Sequence, residues 1–551
     1  MIDFLNWNLF TGPNIKLSTQ SFHIEENLVS GGVDFKLEFL EDCNIQEVYL
    51  EFKTSSPITK WRYLDYTWKE PGFTKWIANY HSPKIVKLLS SHYLVAKNTL
   101  GCWEYQPEIQ CIRWYFYHPM LTPTLVFDEL DERKFLFSQF ISKGTQIRSG
   151  WRWSKGKVEE WARTPHGFIS TICFTDHSDF DTIENLKIQR KFFKERGIKT
   201  TKGFFLYNYT HKEENASLED FHGCEELKKW ESDGHELAYH ALSQSYRGNQ
   251  SDEEFEQFES PKGFSQIDTY IDHGFHPYNY TKQTLGKWEP WYQKIQKKGI
   301  CRFWTYIDAG EGNVLNVNQI NPLNFNWNSM KLSSRWAKKN GLRRKKITEF
   351  RNFLMYGVTE SILRKAKVCA SKLGSFKKGP SIKNLYAFLH AVIVLFLDVL
   401  KPSSWNELKV KSEEIFSVNR FGSVFFLASN QKTTQLVAFQ TLAVRDYDLV
   451  FSSQALETFQ MEKGLMIAHT YFAYTGGNHE GRLFENKNWE IRSLAKAGFD
   501  RISIGIKEGK IWNPTLRELQ KFHKGFELLE YSIQEGRLVV TNFNGFKREV
   551  S

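Results

Sequence analysis

From about residue 165 onward the sequence alternates short apolar runs with amphipathic stretches, and this alternation constrains the fold more than any other feature. "GFISTICFT" has the length and apolar content of a buried strand, and "TIENLKIQRKFFKERG" then carries helical periodicity up to Gly197. "KGFFLYNYT", "HELAYHA", "SQIDTYIDHG" and "ICRFWTYIDAG" read as further strands. Between them lie "LEDFHGCEELKKWESDG", "DEEFEQF" and "WEPWYQKIQKKG", which read as helices. Repeated strand–helix units predict a parallel sheet under covering helices, and this many of them predict an α/β fold closed into a (β/α) barrel. In such barrels chemistry sits on the loops that follow the strands. Thr269–Asp272 and Thr305–Asp308 both spell "TYID", so Asp176, Asp272 and Asp308 are all expected at strand ends.

The flanking regions differ in texture. Residues 1–160 hold period-2 runs such as "GGVDFKLEFL" and "QEVYLEF" between turn-forming residues, which predicts a β-rich N-terminal domain. The barrel is expected in two parts, 161–324 and 421–551, around an insertion at 325–420. From Lys331 to Lys383 that insertion carries 16 Lys and Arg against 2 Glu, whereas the whole chain has a net charge of only +10. An apolar helix follows at 384–400. Its uninterrupted apolar run is about thirteen residues, short of the roughly twenty that cross a bilayer. A buried helix is the plain expectation. A peripheral membrane contact through 331–400 is the sharper alternative, because clustered cations favour an anionic leaflet. No nucleic-acid-binding motif accompanies the basic block, so nucleic acid is not an expected partner.

Composition narrows the setting. The seven cysteines are scattered with no C-x-x-C pair, which argues against a disulfide framework and for a reducing compartment. "MIDFLNWNLFTGPN" lacks the basic and apolar regions of a secretory signal, so the expected location is the cytoplasm, with the inner membrane face as its extension. Aromatic residues make up 16% of the chain. That content suits stacking on sugars, although packing is the safer reading for Trp61, Trp68, Trp151 and Trp153.

The end of the first barrel strand reads "FTDHSDFDT", and some sixty residues later comes "DGHELAYHALSQS". These segments resemble the first two motifs of the polysaccharide deacetylase family (carbohydrate esterase family 4, the NodB homology domain). The first family motif is T-F-D-D; here Phe174, Thr175, Asp176 and His177 stand in its place. The second is G-H-E-x-x-x-H-[ST]-x-x-H; here it runs from Gly234 through His235, Glu236 and His240 to Gln244. "GLMIAHTYF" is similar to the family's last motif and ends a strand on His469. The resemblance covers roughly 165–310 and 450–545. It implies an irregular barrel of the deacetylase type and a divalent metal, zinc first, that activates water against an acetyl group on a glycan or a lipid- or nucleotide-linked sugar.

In that reading Asp176 is the general base, His177 and His240 are metal ligands, and His469 is the general acid. The sequence departs from the family at Gln244, where a second ligating His is usual, and an amide is a poor zinc ligand. The family's R-x-P-x-G motif is not recognisable; "YIDHGFHPYNYT" takes its place. Asp179 is a competing ligand if its loop turns back, and His273 or His276 can complete the shell. Asp272, Asp308 and His276 are candidates for substrate contact. His235 and Glu236 are expected to support the fold; Glu311 can serve a substrate hydroxyl, and a Gly-flanked turn explains it equally well. Two other functions remain open: a glycan-binding barrel without catalysis, and a glycoside hydrolase with paired strand-end carboxylates, Asp176 among them.

Overall fold

The computed structural model describes residues 1–72, 77–127, 133–135, 138–208, 216–243, 249–273, 288–342, 346–356, 360–402, 419–427, 436–476 and 481–550. The first 160 residues form two facing antiparallel sheets of six and seven strands. Period-2 patterning explains the pairing: in Gly32–Phe39, for example, Phe35, Leu37 and Phe39 all point into the sandwich. Its centre is aromatic. Trp103, Trp114 and Trp151 are fully buried, and the rings of Trp114 and Trp151 meet edge to face at 5.6 Å. Trp61 joins the same core and Trp153 packs against it. Trp68 stacks on Tyr93 at 5.9 Å beside a neighbouring cluster. Packing, not ligand display, accounts for all four.

Seven parallel strands then close a barrel: Ser170–Asp176, Thr201–Phe204, Glu236–His240, Thr269–Ile271, Arg302–Glu311, Val437–Ala443 and Leu465–Thr470. The last pairs with the first along Thr171–Asp176, and the first pairs with the second at Thr175 and Asp176, which completes the circle. A short eighth strand, Ile511–Trp512, lies on the lower end of the first. Alternation sorts the side chains. Ile172, Phe174, Leu237, Tyr239 and Phe303 pack outward in the large cluster that includes the helices, while Cys173, Ala238, Ile271, Trp304, Phe439 and Ile467 fill the interior. The helices are where the sequence places them. Ile183–Arg196 starts from the Thr182 side chain, which accepts from Asn185 N–H, and stops at Gly197 with φ 64°.

Two expectations about the later chain need correction. The sixth barrel strand is Val437–Ala443, whereas the start of the second barrel part at 421 holds only Phe425–Leu427, which adds antiparallel to that strand. The end of the chain, expected in the barrel, leaves it after helix Leu516–Lys524. Glu530–Gln534 and Arg537–Thr541 form a hairpin, and Lys547–Glu549 pairs with Glu159–Trp161. The reason is alternation again: Leu538 and Val540 turn one apolar face toward Val95 and Trp161 of the N-terminal region. Between the fifth and sixth strands lie the helices Trp327–Lys339, Lys346–Tyr356, Glu360–Lys378 and Ile382–Val399, which carry the basic segment.

Candidate metal centre

Asp176 and His177 are consecutive at the end of the first strand, and on a pleated backbone consecutive side chains take opposite faces. His177 turns into the barrel mouth. Asp176 turns outward beneath the helix layer, where it is fully buried. There it forms an ion pair with the buried ammonium of Lys202, from the second strand, and its other oxygen accepts from Thr470 Oγ1 at 3.0 Å and Phe472 N–H at 2.8 Å. Lys202 also meets Asp181 at 2.5 Å and Gln189 of the first helix at 3.3 Å, and it lies over the Trp230 ring. Burial pushes the Asp176 carboxyl up to about 6, with Lys202 opposing. The expected general base is thus the centre of a charge cluster that ties strands to helix.

Inside the mouth, imidazoles from separate strands converge. His177 is 4.7 Å from His240 between ring centroids and stacks on His469 at 4.1 Å. Asp179 folds back over them: Oδ2 lies 2.9 Å from His240 Nε2 and Oδ1 lies 2.6 Å from His273 Nε2. One ligand atom from each of His177, Asp179 and His240 fits within a 4.8 Å set. The expected pair of imidazoles is brought together, and Asp179 is the carboxylate that joins them.

The second strand makes room for this set with a glycine. A Cβ on Gly203 would stand 2.6 Å from the Asp176 carbonyl oxygen and 3.3 Å from His240 Cβ. Gly203→Ala must therefore push the first and third strands apart. Its expected effect is a destabilisation of about 1–3 kcal/mol, typical of overpacking, read as a fall in the denaturant midpoint, together with weaker metal retention by the folded fraction.

Burial, helped by the neighbouring imidazoles of His469 and His240, holds His177 far below its ordinary pKa. Burial also lowers His240, in spite of Asp179. For Asp179, burial is outweighed by His273 and His240, so its carboxyl stays well below the usual range; His273 in turn is raised, since Asp179 outweighs its burial. Neutral imidazoles beside an ionised carboxylate are the protonation states that a divalent cation needs. Two further details fit an ion. His177 Nδ1 is buried with no hydrogen-bond partner among the described residues, a state that costs about 1–3 kcal/mol if left unsatisfied. His240 Nδ1 faces the Ile271 carbonyl oxygen at 3.4 Å, which leaves Nε2 toward the cluster.

The seventh strand brings His469 to the same place. Its Nδ1 lies 3.0 Å from Asp308 Oδ1, and Thr441 Oγ1 donates to that oxygen at 2.8 Å. Trp304 meets His177 and His469 edge-on at 4.9 Å each. Asp308 is thus the orienting partner of His469. Asp272, despite the shared "TYID", is buried with Oδ1 accepting from His273 N–H at 3.1 Å. The two copies differ because the fifth strand shifts register between Trp304 and Asp308, with Tyr306 at φ 61°. Gln244 and His276 lie outside the described residues.

His235 accepts from Thr200 N–H at 3.2 Å, and Glu236 accepts from Thr201 and Thr269 hydroxyls at the barrel floor. Both support the fold. Glu311 is buried against Arg445 at 3.1 Å. Sequence reading missed Lys202 and the aromatic rim of Phe180, Tyr471 and Tyr474, with Phe180 and Tyr474 centroids 4.7 Å apart. The signal for Tyr471 was available: it stands two residues beyond His469, on the same face.

No family model matches the chain, and no curated protein matches it. Among solved structures, the α-N-acetylgalactosaminidase NagBb of Bifidobacterium bifidum, as a quadruple mutant, is 9% identical over 55% of this chain and 66% of its own, with a TM-score of 0.22. A GH31 α-xylosidase from a soil metagenome, complexed with xylose, is 8% identical over 51% and 39%, with a TM-score of 0.17. The chain spans less than two thirds of the length of either. Likeness at that level carries no argument about function.

Proposed function

We propose that the chain is a metal-dependent hydrolase that removes an acyl group, acetyl first, from a sugar on a polymeric, lipid-linked or nucleotide-linked precursor. The observation that carries the reading is the convergence of His177, Asp179 and His240 within 4.8 Å at the barrel mouth, with an imidazole–carboxylate pair against it. The donor set of two imidazoles and one carboxylate suits zinc with positions left open for water and substrate. A divalent ion held there polarises a carbonyl and lowers the pKa of a water molecule.

The protein groups divide the remaining work. His273 holds the second oxygen of Asp179 and so orients the carboxylate. Asp308 accepts from His469 Nδ1–H, which fixes the tautomer and makes Nε2 the atom that takes a proton from water and returns it to the leaving amine or alcohol. Asp176 has no step, because its carboxylate belongs to the Lys202 cluster. Partly buried Phe180, Tyr471 and Tyr474 offer a sugar faces to stack on. The resemblance to polysaccharide deacetylases is part of this proposal, as is a cytoplasmic setting, which the free thiols of all seven cysteines support.

A second reading has one observation in its favour. Asp176, expected in such a pair, is committed to Lys202, but Asp179 and Asp308 are both partly buried carboxylates at the mouth, and a pair of carboxylates on either side of a substrate suffices to cleave a glycosidic bond. Metal analysis with activity assays separates the readings. The expected result is about one equivalent of zinc per chain and acetate release from N- or O-acetylated oligosaccharides that stops with chelator and returns with added zinc. Chelator-insensitive cleavage of a glycoside would put the second reading in its place. Sugar binding without metal or turnover would leave a binding module.

A further inference from the structure

The helix Ile382–Val399 is long and apolar enough to cross a membrane by length and composition, with a mean hydropathy of 1.7, yet only 11% of it is buried in the fold. The plain expectation of a buried helix is therefore overturned. Ile382, Tyr386, Leu389, Ile393, Phe396 and Leu400 recur at helical spacing and form one continuous outward stripe; Ile382 is 89% exposed, Tyr386 71% and Phe396 61%. The opposite side is occupied. Ala391 and Asp398 are buried, and Asp398 receives Lys365 of the preceding helix at 2.6 Å and Lys401 at 2.8 Å. The two helices form a hairpin with one wet and one dry face.

We infer that this hairpin docks in the plane of an anionic lipid bilayer, apolar stripe down and lysines around it. Charge complementarity selects the partner. Lys372 and Lys377 of the preceding helix and Lys383 in the first turn of the apolar one are exposed, within a segment of 16 Lys and Arg against 2 Glu. An exposed apolar face on a strongly cationic segment is the pattern of interfacial helices, where acyl chains take the stripe and headgroups take the lysines. Spanning is disfavoured by geometry. The helix packs as a hairpin on its predecessor, and that paired helix would carry Lys365, Lys367 and Lys372 into the hydrocarbon. The inference does not depend on the proposed chemistry, because its readout is binding.

Flotation of the full-length protein with vesicles tests it, using phosphatidylcholine alone or mixed with phosphatidylglycerol, at low and high salt. The expected result is partition into the mixed vesicles at least about tenfold above that into neutral ones, weakened by salt. Ile393→Glu with Phe396→Glu should abolish partition, and Lys372→Glu, Lys377→Glu and Lys383→Glu together should remove the anionic preference. All five side chains are exposed, so unchanged melting midpoints verify the fold of both variants. Failure of the wild type to float with either vesicle overturns the inference, as does undiminished flotation of the Ile393/Phe396 variant. A dimer that depends on the stripe, without vesicle binding, assigns the face to a second copy. Membrane association from cells that resists alkaline carbonate and yields only to detergent indicates a spanning helix instead.

Discussion

On the proposed chemistry, replacing His240 by Ala, or Asp179 by Asn, is expected to strip the metal and lower acyl hydrolysis by about a thousandfold. A catalytic cation contributes several kcal/mol of transition-state stabilisation, and each ~1.4 kcal/mol is a factor of ten in rate. The two substitutions act on one site from different elements, since His240 ends the third strand and Asp179 lies in the loop after the first. Their effects should therefore not add: once either ligand is gone, losing the other changes little. His273→Asn offers a graded control. It removes a group that holds the ligand Asp179, so metal affinity should fall about 10–100-fold, with turnover returning at excess zinc. Metal content after desalting, beside acetate release with and without added zinc, reads all three variants. Full zinc retention with unchanged turnover in His240→Ala would exclude the triad as the reaction centre.

Lys202→Met should be the most damaging substitution for stability, with an expected loss of about 3–5 kcal/mol, the usual result of removing one partner from a buried ion pair. The ammonium is fully buried against two buried carboxylates, Asp176 and Asp181. Without it both must desolvate unpaired or take up protons. Chemical denaturation with unchanged slope measures the loss. Adding Asp176→Leu to Lys202→Met removes one stranded carboxylate, so the double variant should be more stable than the single one, a coupling that independent sites would not show. Asp176→Asn distinguishes the two roles this residue has been given. A cluster residue lowers the unfolding midpoint and leaves turnover of the folded enzyme nearly intact, whereas a general base does the reverse.

Much of the fold was legible because period-2 and helical patterns are local. The strands ending at Asp176 and His240, the helix stopping at Gly197 and the aromatic N-terminal sheets all follow from neighbours in sequence. The sixth barrel strand was not legible, because Val437–Ala443 follows an insertion whose length hides the strand–helix rhythm. The closing hairpin read as barrel material because Leu538 and Val540 carry the same pattern whichever core receives them. The exposed helix Ile382–Val399 misled for a related reason: apolar content says what a helix can bury, not what is present to cover it.

The sequence by itself determined that His177, His240 and His469 stand at or next to strand ends and so share a barrel mouth, because closing a parallel sheet brings all strand termini to one rim. Which of them face one another was decided only in three dimensions. The pleat sends Asp176 to the helices and His177 to the interior, and the loop after the strand returns Asp179 to two imidazoles. A register shift aims Asp308 at His469 while its counterpart Asp272 binds backbone. Asp272 apart, those choices depend on contacts between residues 26 to 296 positions apart, where packing and hydrogen bonding outweigh any local preference.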